Sequence, residues 1–206
     1  MVTIEFPKGW ADATRLEQIL RSAQAPHDCA EVTFGFCPDS KIMIDAAVRL
    51  LALLNQLDAC TRRVVLRFDD GATGVMGYLN RMGFVDHLSK GIDVLPDRPT
   101  CSGAAAHGGH NAGIVEIAGI NHKLRDQGLP TRLTKALTMA CGSRPDAGSL
   151  GNAAWTIFTE LIDNVFSHSQ TPLDGYAALQ VYARGNIVKV AVSDSGLEIH
   201  PRTWVF

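Results

Sequence analysis

Strand-like segments alternate with helical segments through the first 97 residues. "VTIEF", "EVTFGF" and "RRVVLRF" have the composition and length of strands, and the segments between them have helical periodicity, with Asp12 as a candidate N-cap. The longest helical segment, "IDAAVRLLALLNQL", is apolar on almost every turn, and "GIDVLP" is typical of an edge strand that Pro96 ends. This alternation predicts an α/β fold for residues 1–97.

The composition changes after this first segment. Residues 98–111 are rich in glycine, alanine, serine and histidine, which bury little apolar surface, so we expect a linker there. Beyond it, "GIVEIAGI" predicts a strand, and "HKLRDQGLPTRLTKALTMAC" has a helical pattern broken near Gly128. "LQVYARGNIVKVAVSD" predicts a hairpin with a two-residue turn at 185–186. The predicted domains are therefore 1–97 and 112–206.

The net charge and the distribution of cysteines indicate which partners and which cellular compartment to expect. The 206 residues carry a net charge of -2 without a basic block, which argues against nucleic acid as a partner. No run of about 18 apolar residues occurs, so we expect no membrane segment. Five dispersed cysteines without a CxxC pair are typical of free thiols in a reducing compartment, and we expect a cytoplasmic protein.

One helical segment, residues 149–168, carries polar groups in a regular row. In "ELIDNVFSHS" Glu160, Asn164 and His168 recur every four residues, so on a helix they drift by only about 40° per step. Ile157 and Leu161 belong to the predicted apolar stripe beside them, which would place the row at the rim of the core. A surface helix offers a simpler explanation for the glutamate and the histidine, but asparagine lowers helix propensity and usually has a specific partner.

A hydrated Mg²⁺ ion carrying phosphates would satisfy all three side chains. Mg²⁺ keeps most of its waters and takes few protein oxygens, and an asparagine can supply one of them. A glutamate beside it can orient or deprotonate a water molecule. The row therefore predicts a nucleotide–magnesium site.

"ELIDNVFSHS" resembles the N-box of the histidine-kinase-like (GHKL) ATPases, and most closely that of the anti-sigma serine kinases. The resemblance implies that Asn164 binds Mg²⁺, that Glu160 is the general base, and that His168 lies near phosphate. It also implies ATP as the cofactor and, for residues 112–206, part of the α/β sandwich of that fold.

A second block, "VSDSGLEI", resembles the adenine box of the same family. The resemblance implies that Asp194 accepts a hydrogen bond from the adenine amino group. It also implies that Gly196 lies against the ring, where a Cβ would obstruct the approach of the backbone.

The chain departs from the family pattern in two places. Glu198 replaces the second glycine of the adenine box, and Phe206 stands 12 residues after Asp194. We therefore expect the ATP lid and the glycine-rich phosphate box to be missing, together with their contacts to phosphate. Nucleotide binding is then expected to be weak and adenine-led, with ATP and ADP bound about equally and turnover near background.

Residues 1–97 resemble the STAS domain of anti-sigma-factor antagonists in the order of their strands and helices. The stretch Asp45-Ala46-Ala47-Val48 matches the place of that family's phosphoacceptor serine, so no phosphoserine is expected there. Asp45 is interpreted as a helix N-cap, and Ser149 as the N-cap of the helix over 149–168.

The resulting hypothesis is a signalling or regulatory protein that binds ATP and Mg²⁺ and acts through protein–protein contacts, with a serine-kinase-like regulator as one form. If it is an enzyme, it is an ATPase or a serine/histidine protein kinase. The alternative is a non-enzymatic interaction protein, or a fragment, whose nucleotide site is lost. The expected partner is a regulatory protein, and a homodimer is left open.

Overall fold

The chain folds as an α/β protein, as its sequence predicts, with helices packed on a four-stranded parallel sheet and a four-stranded antiparallel sheet. The computed structural model describes residues 1–23, 30–121, 123, 125–168, 171–196 and 203–205. Within these residues no helix has the length and apolar character needed to cross a bilayer.

Ten elements build the first half in the part of it that the structure describes. They are β1 (Val2–Phe6), β2 (Gly9–Ala11), α1 (Ala13–Ser22), β3 (Glu31–Phe36), β4 (Ser40–Ile42), α2 (Ile44–Ala59), β5 (Arg63–Phe68), α3 (Gly74–Arg81), α4 (Phe84–His87) and β6 (Asp93–Leu95). The strands β1, β3, β5 and β6 lie side by side in that order, all parallel, while β2 and β4 form a separate parallel pair. The side chain of Asp12 accepts a hydrogen bond from the backbone N–H of Arg15, which confirms it as the N-cap of α1.

The described residues of the second half form one antiparallel sheet and two long helices. Its elements are α5 (Gly103–His107), β7 (Ile114–Ile120), α6 (Leu129–Ala140), α7 (Ala147–His168), β8 (Gly175–Tyr182), β9 (Ile187–Ser193) and β10 (Thr203–Val205). The strands lie in the order β10-β9-β8-β7. The short helix α5, with Ser102 as its N-cap, lies inside the segment predicted as a linker.

Helix α2 lies between the two sheets and is buried on nearly all sides. The core that surrounds it contains residues of the parallel sheet, such as Phe34 and Leu66, and also Tyr176, Ala178 and Ala191 of the antiparallel sheet. An α-helix that is apolar around its whole circumference requires a partner on every side, and here the two halves provide those partners together. The halves therefore share one hydrophobic core.

The opposite face of the antiparallel sheet has a core of its own. Along β8, Tyr176 and Ala178 belong to the core around α2, whereas Ala177 and Leu179 pack with α6 and α7. Successive side chains of a strand point to opposite faces, so the all-apolar run of β8 serves two cores. The strand is buried because helices cover both faces of its sheet.

Asp45 is not the N-cap of α2, contrary to the interpretation from the sequence. Met43 occupies the cap position, and Asp45 lies in the first turn with only 1% of its surface exposed. Its Oδ2 accepts hydrogen bonds from the Lys189 ammonium at 2.6 Å and from the Ala13 backbone N–H at 3.2 Å. The residue was misassigned because its main partner lies on β9, far away in the sequence.

Three further local predictions are wrong. Ser149 lies inside α7, which begins two residues earlier, and therefore is not its N-cap. Lys123 and residues 125–127 are not helical; α6 begins at Leu129, and Pro130 is suited to its first turn. The connection between β8 and β9 is a 3-10 turn at Ala183–Gly185 followed by Asn186 in the left-handed region, rather than a two-residue turn.

Candidate nucleotide site at the end of the antiparallel sheet

The continuous helix α7 carries the polar row predicted from the sequence. Its buried side consists of Ala154, Phe158, Ile162 and Val165. Glu160 and Asn164 are both exposed, and their side chains form no hydrogen bond or ion pair with the other residues that the structure describes. His168 is the last residue of α7, and the position of its side chain lies outside the described part of the chain.

The row of Glu160 and Asn164 lies further from the core than the predicted position at its rim. Glu160 is two residues, or about 200°, from both Phe158 and Ile162, so it lies almost opposite the buried side rather than at its rim. Ile157, which was expected to belong to the apolar stripe, is 45% exposed. Asn164 lies about 100° from Val165, on the flank of the helix. Asn164 is therefore nearer to the sheet than Glu160 is.

The loop Asp194–Gly196, here called the box loop, follows directly after β9. Inside it, Asp194 Oδ1 accepts a hydrogen bond from the Gly196 backbone N–H at 3.3 Å. The buried Ser195 hydroxyl donates to the Asp174 carbonyl at 2.6 Å, which ties the loop to the residue before β8. The half-buried Asp194 carboxylate keeps its Oδ2 without a partner among the described residues. A carboxylate oxygen in this state can accept a hydrogen bond from an amino group of a ligand.

Gly175 brings the two predicted motifs to one end of the sheet. A Cβ added to this glycine would lie within 2.3 Å of Val165 Cγ1 and within 2.8 Å of the Ser193 carbonyl oxygen. Val165 is the neighbour of Asn164 on α7, and Ser193 is the neighbour of Asp194. The missing side chain therefore lets the last turns of α7 approach the end of β9.

The box loop also touches the first half of the molecule. The Gln56 side chain on α2 donates a hydrogen bond from Nε2 to the Gly196 carbonyl oxygen at 2.9 Å. A mostly apolar cavity of about 370 Å³ lies beside this bond, between the last turns of α2 and the loops at 171–173 and 195–196. The loop thus forms part of the wall of an open cavity that residues of both halves line.

Electrostatic interactions connect α2 with Asp194 as well. Arg49 is buried on α2 and forms an ion pair with Glu17 of α1 at 2.9 Å. Burial lowers the pKa of the Arg49 guanidinium, and the negative charges of Glu17 and Asp194 act in the opposite direction. Asp194 therefore lies within Coulomb range of a buried cation of the first half.

No protein-family model, curated protein or solved structure matches the chain. The resemblance to the histidine-kinase-like ATPases and to the STAS domain accordingly depends on the motif residues and their arrangement.

Several contacts of this site involve residues that sequence reasoning did not single out. Gln56, Asp174 and Gly175 all contribute to the position of the box loop or of α7. One signal for Gln56 was present: Asn55 and Gln56 are adjacent polar residues that follow an apolar run, Leu50–Leu54, in the same helix. For Asp174 and Gly175 we find no corresponding signal.

Proposed function

We propose that this chain is a nucleotide-binding regulatory protein that binds ATP or ADP at the end of its antiparallel sheet. In this proposal Asp194 accepts from the adenine amino group, Gly196 lies against the ring, Asn164 supplies an oxygen to Mg²⁺, and His168 lies near phosphate. The observation that carries the proposal is the convergence of α7 and β9 at Gly175.

The chemistry of the box loop supports adenine as the group recognised. A half-buried carboxylate is a strong acceptor, its Oδ2 has no hydrogen-bond donor among the described residues, and the bonds of the box loop orient it. The anchoring contacts that the structure describes all belong to the adenine side of the site. Binding is therefore expected to be adenine-led, with ATP and ADP bound about equally.

Titration calorimetry with ATP and ADP, each with and without Mg²⁺, tests the proposal. Asp194→Asn removes the charge of the acceptor and should weaken both nucleotides by about tenfold or more. Asn164→Ala should remove the effect of Mg²⁺ and leave Mg²⁺-free binding unchanged. Asp163→Asn is the matched control, because Asp163 is a carboxylate on α7 that pairs with Arg125 and is not assigned to the site.

Catalysis is the weaker part of the proposal. Glu160 is the candidate general base, but it is directed away from the core and needs an ordered terminal phosphate to act on. We expect phosphate release near background, unchanged by Glu160→Ala. Activity that Glu160→Ala abolishes would instead identify an ATPase or a protein kinase.

A non-enzymatic interaction protein is the second candidate function, favoured by the exposed apolar side chains of the α6–α7 layer. Met139, Trp155 and Ile157 are each about half exposed. Large apolar side chains on the surface are typical of protein contact sites. Under this alternative neither nucleotide binds, and the calorimetric titration separates the two functions.

A further inference from the structure

The box loop has anchors on two sides, and they belong to different halves of the molecule. Ser195 ties it to Asp174, within the second half, and Gln56 ties it to α2, in the first half. Since Gly196 is the residue assigned to the adenine ring, the Gln56 bond acts on the group that would contact the ligand. Gln56 and Gly196 are 140 positions apart in the sequence.

We infer that Gln56 is a positioning residue of the nucleotide site, so that the N-terminal half completes the site in the second half. This inference rests on the proposed nucleotide-binding function. The donor of Gln56 holds the carbonyl of Gly196, which restrains the backbone of the residue assigned to the ring. Asp194 contacts the same residue, because its Oδ1 accepts from the Gly196 N–H.

The neighbouring Asn55 shows that α2 itself is held firmly at this level. Its amide donates to the Tyr176 hydroxyl at 2.7 Å and to the His87 carbonyl at 2.9 Å. Its Oδ1 accepts from the Ser89 N–H at 2.9 Å. The side chain next to Gln56 is therefore bound on both sides, and Gln56 extends from a fixed backbone. A rigid support is what a positioning side chain requires.

The cavity beside the Gln56–Gly196 hydrogen bond connects the nucleotide site with the position of α2. Leu53 and Leu57 of α2 and Cys60, directly after its end, line it together with Ser195 and Gly196. Any displacement of the end of α2 changes the cavity and the Gln56 bond together. By linkage, nucleotide bound at the box loop favours the arrangement of α2 seen here to the same extent that this arrangement favours nucleotide.

Two variants of Gln56 separate the effect of the hydrogen-bond donor from the effect of side-chain size. Gln56→Glu keeps the shape but places a carboxylate oxygen opposite the Gly196 carbonyl, and Gln56→Lys keeps a donor of similar reach. We expect ATP to bind roughly tenfold more weakly to Gln56→Glu and within about twofold of the unchanged protein to Gln56→Lys.

Gln180→Ala is the matched control, because it also removes one glutamine hydrogen bond between the halves. Gln180 accepts from the Tyr78 hydroxyl at 2.6 Å, but it lies on β8 away from the box loop. Its loss should lower the melting temperature without changing the affinity for ATP.

The readouts are titration calorimetry with Mg²⁺-ATP and with ADP, and hydrogen exchange of the Ser195 and Gly196 amides without nucleotide. Faster exchange and weaker binding in Gln56→Glu, with neither change in Gln180→Ala, support the inference. Unchanged exchange, or unchanged affinity in a protein that does bind nucleotide, overturns the role of Gln56 alone. If the unchanged protein binds neither nucleotide, the proposed function fails, and the positioning role fails with it.

Discussion

The two faces of the antiparallel sheet are covered by helices in different ways. On the α6–α7 face the contacts are apolar, with Leu133, Phe158 and Ile162 packed on Ala177 and Leu179 of β8. On the α2 face the sheet contributes Ala178 and Ala191 to the core, and polar groups join it to α2 and its surroundings. These joining pairs are Asp45–Lys189, Ile44–Tyr182, Asn55–Tyr176, Gln56–Gly196 and Tyr78–Gln180.

The two faces differ in how strictly their contacts depend on geometry. Apolar packing rewards burial from any direction and tolerates small shifts, whereas a buried hydrogen bond requires one geometry. The α6–α7 face therefore contributes mainly stability, and the α2 face also specifies how the two halves are oriented. Such specification by buried polar groups is a hypothesis for this chain, and the variants below test it.

The largest effect is expected on the apolar face. Phe158→Ala removes a ring that is 3% exposed and leaves a cavity, which should lower the free energy of unfolding by about 4 kcal/mol. Urea denaturation measures the loss. Phe158→Leu serves as the control, with a loss of less than half that size. Equal losses in the two variants would mean that the ring lies in a loosely packed site.

Asp45→Asn breaks the main ion pair of the α2 face. Lys189 has only 14% of its side chain exposed, and after the change its one remaining carboxylate partner among the described residues is Asp12, at 3.6 Å. An incompletely paired buried ammonium should cost about 3 kcal/mol in urea denaturation. The double variant Asp45→Leu with Lys189→Met should recover much of the loss. A double variant no better than the single one would indicate that the pair is needed for packing and not only for charge.

Asn55→Ala removes three hydrogen bonds at the other end of α2. The Tyr176 hydroxyl, the His87 carbonyl and the Ser89 N–H lose their partner, which should cost about 2 kcal/mol. If the polar face sets orientation, this variant should also speed the exchange of amides in β8 and β9 before global unfolding. Exchange limited by global unfolding alone would contradict that role.

The smallest expected effect is a difference between the two faces in how the stability of the protein depends on pH. Burial raises the pKa of Tyr176 to about 12 from an ordinary value of 10.0, and burial also raises the pKa of Tyr182. The neutral phenols are thus preferred in the folded state, so their contribution is complete below pH 10 and is lost as the pH rises toward 12.

Stability measured between pH 9 and 12 should therefore decline less steeply in Tyr176→Phe than in the unchanged protein, whatever the two absolute stabilities are. Phe158→Leu, on the face without tyrosines in its core, should keep the original slope. Identical slopes in Tyr176→Phe and the unchanged protein would show that folding does not raise the pKa of the Tyr176 phenol.

Local patterns predicted most of the elements. The bounds of β3 match the predicted segment because its composition and its flanking residues agree, and Asp12 caps α1 through a bond to a residue three positions away. Helix α7 was predictable because its apolar period extends over many turns. The end of the predicted hairpin at Asp194 also agrees with β9, which ends at Ser193.

Long-range partners explain what could not be predicted. The acceptor of Lys189 lies 144 positions away at Asp45, and nothing in the local sequence distinguishes a buried carboxylate in a first turn from a helix cap. The outward direction of Glu160 depends on which side of α7 meets the sheet. Four-residue spacing places Glu160 and Asn164 near one another, but it does not determine how far the row lies from the core.

The burial of α2 between two sheets has a consequence for synthesis on the ribosome. The parallel sheet is encoded first and can cover one side of the helix, but Tyr176, which packs with Asn55 on the other side, follows 121 residues later. At 5–20 residues per second this is an interval of roughly 6 to 24 s. During it the nascent chain presents an uncovered strip of leucine and alanine to solvent and to chaperones, and translation speed between the two segments sets how long that exposure lasts.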